Sequence, residues 1–324
     1  MDSTLWKVPE PGERRGSPRP LRVRGRRVRA GWGAVLLGVL LTGPVRGAAE
    51  APLPLVDLHI HYNAWVAESL APEEAARRLR EHGAMGGVVS STPTSNALRL
   101  AARAPGVLLP FFRPYLTAGH RGSWHEDPAV LKEAEAALTA GQYRGIGEVH
   151  LSTGNAGADA GNAILRGLLD LARRHRVPIH VHVDEPHIPV LQALLAAYPA
   201  VPVIWAHAGG FAEPSQVEAL LVAHPNLWVE FSARDAFRYG GVAPLVDATG
   251  RLLPDWASLA RRFRDRLMVG SDTGTMADWD RLGELYAFHR TWLAGLPRDV
   301  AEAIAFRNAA RLLGLRLPAT GPQP

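Results

Sequence analysis

Between residues 52 and 314, short apolar runs alternate with amphipathic stretches. The apolar, strand-like runs occupy 55–61, 86–92, 107–115, 143–151, 177–184, 202–208, 227–234 and 266–273. Strands of a parallel sheet covered on both faces have this near-continuous apolar character. Between most of them lie stretches rich in Ala, Leu, Arg and Glu, at 72–82, 128–139, 162–175, 187–198 and 214–224. Several open on Pro or an acid, as helix N-termini do. Two further helices are expected at 278–296 and 298–313. Eight strands alternating with helices over roughly 260 residues predict an α/β fold of the (β/α)8 TIM-barrel class. The competing arrangement is an open doubly wound sheet, and the polar positions separate the two. A barrel collects its chemistry at the C-terminal ends of many strands, all on one rim. Here the runs end in His59 and His61, Arg113, Glu148 and His150, His180 and His182, His207, Arg234 and Asp272.

Composition narrows the chemistry. The 324 residues contain no cysteine, which excludes disulfides, thiolate metal sites and thiol catalysis. Any metal must therefore be held by His, Asp and Glu. The formal charge of +5 is misleading. Ten of the 36 Lys and Arg, but only four of the 31 acids, fall in residues 1–51, so that stretch carries +6 and the rest of the chain −1. The body has no overall electrostatic attraction for nucleic acid, and no nucleic-acid partner is expected.

Residues 1–29 are rich in Pro and Arg, and 30–43 form a short apolar core followed by small residues through 51. This is the layout of a secretory signal. It predicts a periplasmic or secreted protein with no stable membrane span once mature. An uncleaved anchor or an N-terminal extension from a misplaced start codon is the alternative. The expected domains are a leader at 1–51, a barrel at 52–316 and a disordered Pro-rich tail at 317–324.

Within the barrel, His59 and His61 are separated by one residue on a strand, so both side chains project from one face, as shared metal ligands must. Asp57 lies on the same face, one pleat earlier. His180 and His182 repeat the spacing, with His180 one layer deeper and read as a buried core histidine. No GK[ST] follows Gly145-Ile-Gly147, and no G-x-S-x-G elbow is present, which argues against a phosphate loop and a serine hydrolase.

Asp57-Leu-His-Ile-His61, Gly145-Ile-Gly-Glu148, Val181-His182, Trp205-Ala-His207 and Val269-Gly-Ser-Asp272 resemble the metal motifs of the amidohydrolase superfamily, in order and on the expected strands. Arg307-Asn-Ala-Ala-Arg-Leu-Leu-Gly314 resembles the closing helix of its amidohydrolase-related branch. The resemblance covers about residues 52–314. It implies a metal-dependent hydrolase in which His59, His61 and Asp272 bind one divalent ion, His182 and His207 a second, and Glu148 bridges the two. Glu148 takes the place of the carboxylated lysine of many relatives. The fallback is a single ion on His59, His61, His182 and Asp272, with His207 bonded to the bound water. Zinc suits such a nitrogen and oxygen set, and manganese, iron and nickel also accept it. Asp272 would take and return the water's proton, and His207 or a second ion would polarise the electrophile.

Around this set, Arg113 and Arg234 are read either as anchors for an anionic small-molecule substrate or as partners of loop acids such as Glu126 and Asp235. Tyr62 and Asn63 are expected to line the pocket, and His150 to orient a ligand or face the substrate. Asp57 and Asp184 are expected to orient the ligating histidines. The polar, aromatic loop 119–127 is expected to cover the substrate. Competing functions are a metal-dependent decarboxylase of the same branch, a TatD-type nuclease and a non-catalytic binding module. Homo-oligomerisation is left open.

Overall fold

In the computed structural model the described residues are 52–151, 159–235, 237–238 and 243–317. The leader with its expected signal, and residues 318–324 of the expected tail, lie outside them. Eight strands are present among the described residues: β1 (Leu55–Ile60), β2 (Ala84–Ser90), β3 (Leu108–Phe111), β4 (Ile146–His150), β5 (Ile179–His182), β6 (Val203–Trp205), β7 (Leu227–Glu230) and β8 (Leu267–Met268). Every neighbouring pair is parallel, in a set β1-β2-β3 and a set β4-β5-β6-β7-β8. Parallel bridges Phe112–Ile146 and Asp57–Val269 join the two sets at both edges, so the sheet closes into a barrel.

The helices form where the amphipathic stretches predict them. Pro72–Glu81 begins on Pro, places Glu73 and Glu74 in its first turn and Arg78 and Arg80 in its last, and buries Ala75, Ala76 and Leu79. The charges complement the helix dipole at both ends. Asn162 caps Ala163–His175 by accepting from the N–H groups of Ile164 and Leu165. Two helices not singled out in the sequence, Ser95–Ala101 and Pro254–Arg262, also cover the barrel. The closing segments break into Met276–Asp280 and Leu282–Leu293, then Arg298–Glu302, a π turn at Ala303–Arg307, and Asn308–Leu313. Among the described residues no helix is long and apolar enough to cross a membrane.

From β3 onward the strands are shorter than the apolar runs suggest, and two of them stop where the backbone turns. The sixth stops at Trp205 and the eighth at Met268. Beyond them the backbone turns left-handed at His207 (φ 59°), Ala208 (φ 46°) and Asp272 (φ 53°), which no strand can continue through. The Gly86-Gly87 pair lies inside β2. A Cβ on Gly87 would press on the Asp57 carbonyl and the Ile60 side chain, so glycine lets β2 approach β1 closely.

Candidate metal centre

β1 is buried along its whole length and delivers His59 and His61 side by side at the rim. His61 gives its Nδ1–H to the Ser90 carbonyl, and His59 gives its Nδ1–H to Glu230 Oε1 at 2.9 Å. Those acceptors fix both tautomers, so each Nε2 presents a lone pair. The two Nε2 atoms face one another at 3.0 Å. Asp272 Oδ1 lies 3.6 Å from His59 Nε2 and 3.3 Å from His61 Nε2, and Glu148 Oε2 lies 3.5 and 3.3 Å from the same atoms. Converging lone pairs among carboxylates repel one another unless a cation is shared between them.

The second half of the site follows the same rule. His182 gives its Nε2–H to Asp184 Oδ1 at 3.2 Å and turns Nδ1 toward Glu148 Oε1 at 2.9 Å. His207 gives its Nδ1–H to Ser232 Oγ at 2.8 Å and turns Nε2 to within 3.1 Å of His182 Nδ1 and 3.6 Å of Glu148 Oε1. All four imidazoles thus donate outward to an acceptor and aim a lone pair inward. Glu148 faces one pair with each of its oxygens. Its backbone N–H donates to Ser90 Oγ, and a Cβ on the preceding Gly147 (φ 119°) would collide with the His180 carbonyl.

The electrostatics state the same demand. Burial opposes ionisation of Glu148, yet the neighbouring charges of His59 and Arg113 help hold it well below the usual carboxylate range. Asp272 and Glu230 are held down likewise, against burial, by the imidazoles they face. Burial pulls His59 down, but the carboxylates of Glu148 and Asp272 drive it well above its ordinary value. His182 is pushed up to about 10 against burial, chiefly by Asp184. The buried anions stay ionised because the imidazoles beside them draw protons, so the cluster calls for positive charge, which those protons or a bound cation can carry. A divalent ion held by His, Asp and Glu meets that requirement.

Not every expected residue faces this pocket. The expectation that Arg113 is a free anchor for a substrate anion is corrected: it is buried, and it donates to Glu148 Oε2 at 2.6 Å, to the Glu148 carbonyl and to Thr92 Oγ1. Nor is Arg234 free, because its guanidinium donates to the carbonyls of His207, Ala208, Ala212 and Ala243 at 2.8–3.0 Å. Both arginines bind protein because burial leaves no water to satisfy their N–H groups. Tyr62 does not line the pocket either; it is fully buried, with its hydroxyl on the Leu70 carbonyl. Asn63 bridges the Thr92 N–H and the Gly274 carbonyl. His150 does reach the site, stacked on His182 with ring centroids 4.4 Å apart. His180 lies fully buried below, and burial lowers it to about 4.

Asp57 orients no ligand ring. It accepts from Ser271 and from the Tyr286 hydroxyl, tying β1 to the chain after β8. The orienting acid is Glu230, which the sequence reading passed over. It is fully buried and accepts from His59 Nδ1, the His207 N–H, and both the N–H and hydroxyl of Ser232. Its signal was present: an acid ending an apolar strand run, like Glu148. Arg238 was also missed. It pairs with Asp235 at 2.7 Å and donates to the carbonyls of Ser271 and Asp272 at 2.8 and 3.0 Å.

The profile of the Amidohydrolase family matches residues 56–315. The chain belongs to the amidohydrolase family. With the His/Asp cluster in its barrel, it is a metal-dependent hydrolase. No curated protein matches the chain. Among solved structures, a TatD homologue from Escherichia coli K12 is similar, with a TM-score of 0.56, 14% identity, and coverage of 81% of this chain and 98% of that one. A putative amidohydrolase from Staphylococcus aureus gives 0.55 and 14%, covering 81% and 100%. An amidohydrolase from Burkholderia multivorans with bound zinc gives 0.52 and 17%, also covering 81% and 100%. At these identities the likeness shows the shared barrel.

Proposed function

We propose that this amidohydrolase uses a divalent ion, zinc in the first instance, to direct water against an amide, ester, lactone or phosphoester bond of a small molecule. One observation supports the reading: four imidazoles held by outward acceptors turn their other ring nitrogens inward beside Glu148 and Asp272. His59, His61 and Asp272 would hold one ion. His182, His207 and Glu148 Oε1 form a second position. Because Arg113 already neutralises Glu148 Oε2, the first position fills tightly and the second only in metal excess. When bound, the ion supplies a Lewis acid that acidifies water and polarises the scissile bond. Asp272, with its side chain 13% exposed, accepts the water's proton and returns it to the leaving group. A second ion, held by His207 among others, would polarise the oxygen of the electrophile.

Metal analysis of the purified chain is expected to give one retained ion after dialysis. Asp272→Asn and His59→Ala are each expected to abolish turnover, by about a thousandfold or more for loss of a group acting in the transition state. A metal-replete Asp272→Asn variant with near wild-type activity overturns the mechanism, as does a chain that stays metal-free on reconstitution. Release of carbon dioxide without consumption of water would move the reaction to decarboxylation. Salt-sensitive binding of single-stranded DNA would move it to nucleic acid, which the −1 charge of the body disfavours. We also propose export through the basic and apolar leader; N-terminal sequencing of the protein from fractionated cells tests this.

A further inference from the structure

With Arg113 and Arg234 both bonded to protein, the pocket needs another cation if its substrate is anionic, and the loop after β3 supplies one. Its second half is packed down: Trp124 is fully buried, and Asn162 Nδ2 donates to the His125 carbonyl at 2.9 Å. Its tip is exposed and carries Arg121. One guanidinium nitrogen of Arg121 donates to His150 Nε2 at 2.9 Å. That acceptor role places the His150 proton on Nδ1, which donates to the Tyr115 oxygen at 2.7 Å. His150 is therefore neutral and locked, stacked on His182 with its Nε2 4.0 Å from Glu148 Oε1. Arg121 thus sits one side chain away from the metal cluster. Among the described residues no carboxylate pairs with it. Among the described residues its guanidinium makes one side-chain bond, to His150, and keeps a planar fork suited to an oxyanion.

We propose that Arg121 binds an anionic group, a carboxylate or a phosphate, on the substrate, so that the bond to be cleaved lies over the cluster and the anion against the β3 loop. This names the substrate class and rests on the hydrolytic reading of the centre. The test measures binding without turnover, so its failure and the failure of that reading are distinguishable. Succinate, inorganic phosphate and neutral succinamide are titrated calorimetrically into the zinc-loaded chain and into zinc-loaded Arg121→Gln. Succinate or phosphate is expected to bind the wild type and succinamide to be ignored. Arg121→Gln is expected to weaken the anion about 10- to 100-fold, as loss of a charge-assisted bond does, with zinc content unchanged. Arg121→Lys, a point charge without the fork, recovers part of the affinity. Which of the two anions binds identifies the group. Anion binding equal in wild type and Arg121→Gln means that the ion alone holds it, and overturns the proposal; so does a wild type that binds neither anion.

Discussion

Glu230 shows how much a single buried acid determines. It takes four protein donors, and through the Nδ1–H of His59 it decides which imidazole nitrogen faces the cluster. Glu230→Gln keeps the volume but puts an amide NH2 against the Ser232 N–H that Oε2 now accepts. Zinc affinity is expected to fall about 10- to 100-fold, as for other partners of ligating histidines, while the circular dichroism spectrum stays that of the wild type. Competition with a chromophoric chelator measures this. The residue was hard to find because its partner lies 171 positions away in the chain. The ligands were legible for the opposite reason. His59 and His61 advertise each other by strand spacing, whereas Glu230 stands alone on its strand and acquires meaning only when the barrel closes.

At the scale of the element, the strands were legible and their exits were not. Apolar runs mark buried parallel strands directly, but nothing local announces that His207 and Asp272 leave the sheet with positive φ, a conformation in which non-glycine residues are uncommon. Each turn is held from the same loop, the one after β7. Arg234 braces the carbonyls at 207, 208 and 212, and Arg238 those at 271 and 272. The sequence left Arg234 open between a substrate anion and a loop acid, because a rim arginine looks the same from sequence whether it faces solvent, acid or backbone. Arg234→Lys would leave at least two carbonyls unpaired, since one ammonium cannot span them all. It is expected to destabilise the chain by about 2–6 kcal/mol, with buried acceptors costing about 1–3 kcal/mol each, and to lower activity more than it lowers ion content. Urea unfolding alongside metal analysis checks both.

Across the whole molecule, alternation of strands and helices was enough to give the closed barrel, because each unit buries its own apolar face against the next. Acid stability is also a property of the whole core. His289 is buried, donates Nε2–H to the Gly270 carbonyl, and is lowered by burial to about 4 from 6.5. Its folded pKa lies below its unfolded one, so the unfolded chain binds the proton first as pH falls. Above 6.5 it has no effect, and between 6.5 and about 4 it removes up to about 1.4 kcal/mol per pH unit. His180, also at about 4, acts in the same direction. The metal-free chain is therefore expected to lose stability steadily below pH 6.5, and His289→Gln to flatten part of that slope in thermal melts.

The arginine braces have one more consequence. They clasp backbone, so they grip their turns whether or not an ion has arrived. The turns that carry His207 and Asp272 are thus set by protein bonds that do not depend on which ion is bound. Affinity at such donors follows one general order in which zinc outranks manganese, whatever the protein, so the supply in the compartment where the chain folds selects the metal. Refolding the same chain in manganese or in zinc should yield two different, equally well-folded proteins.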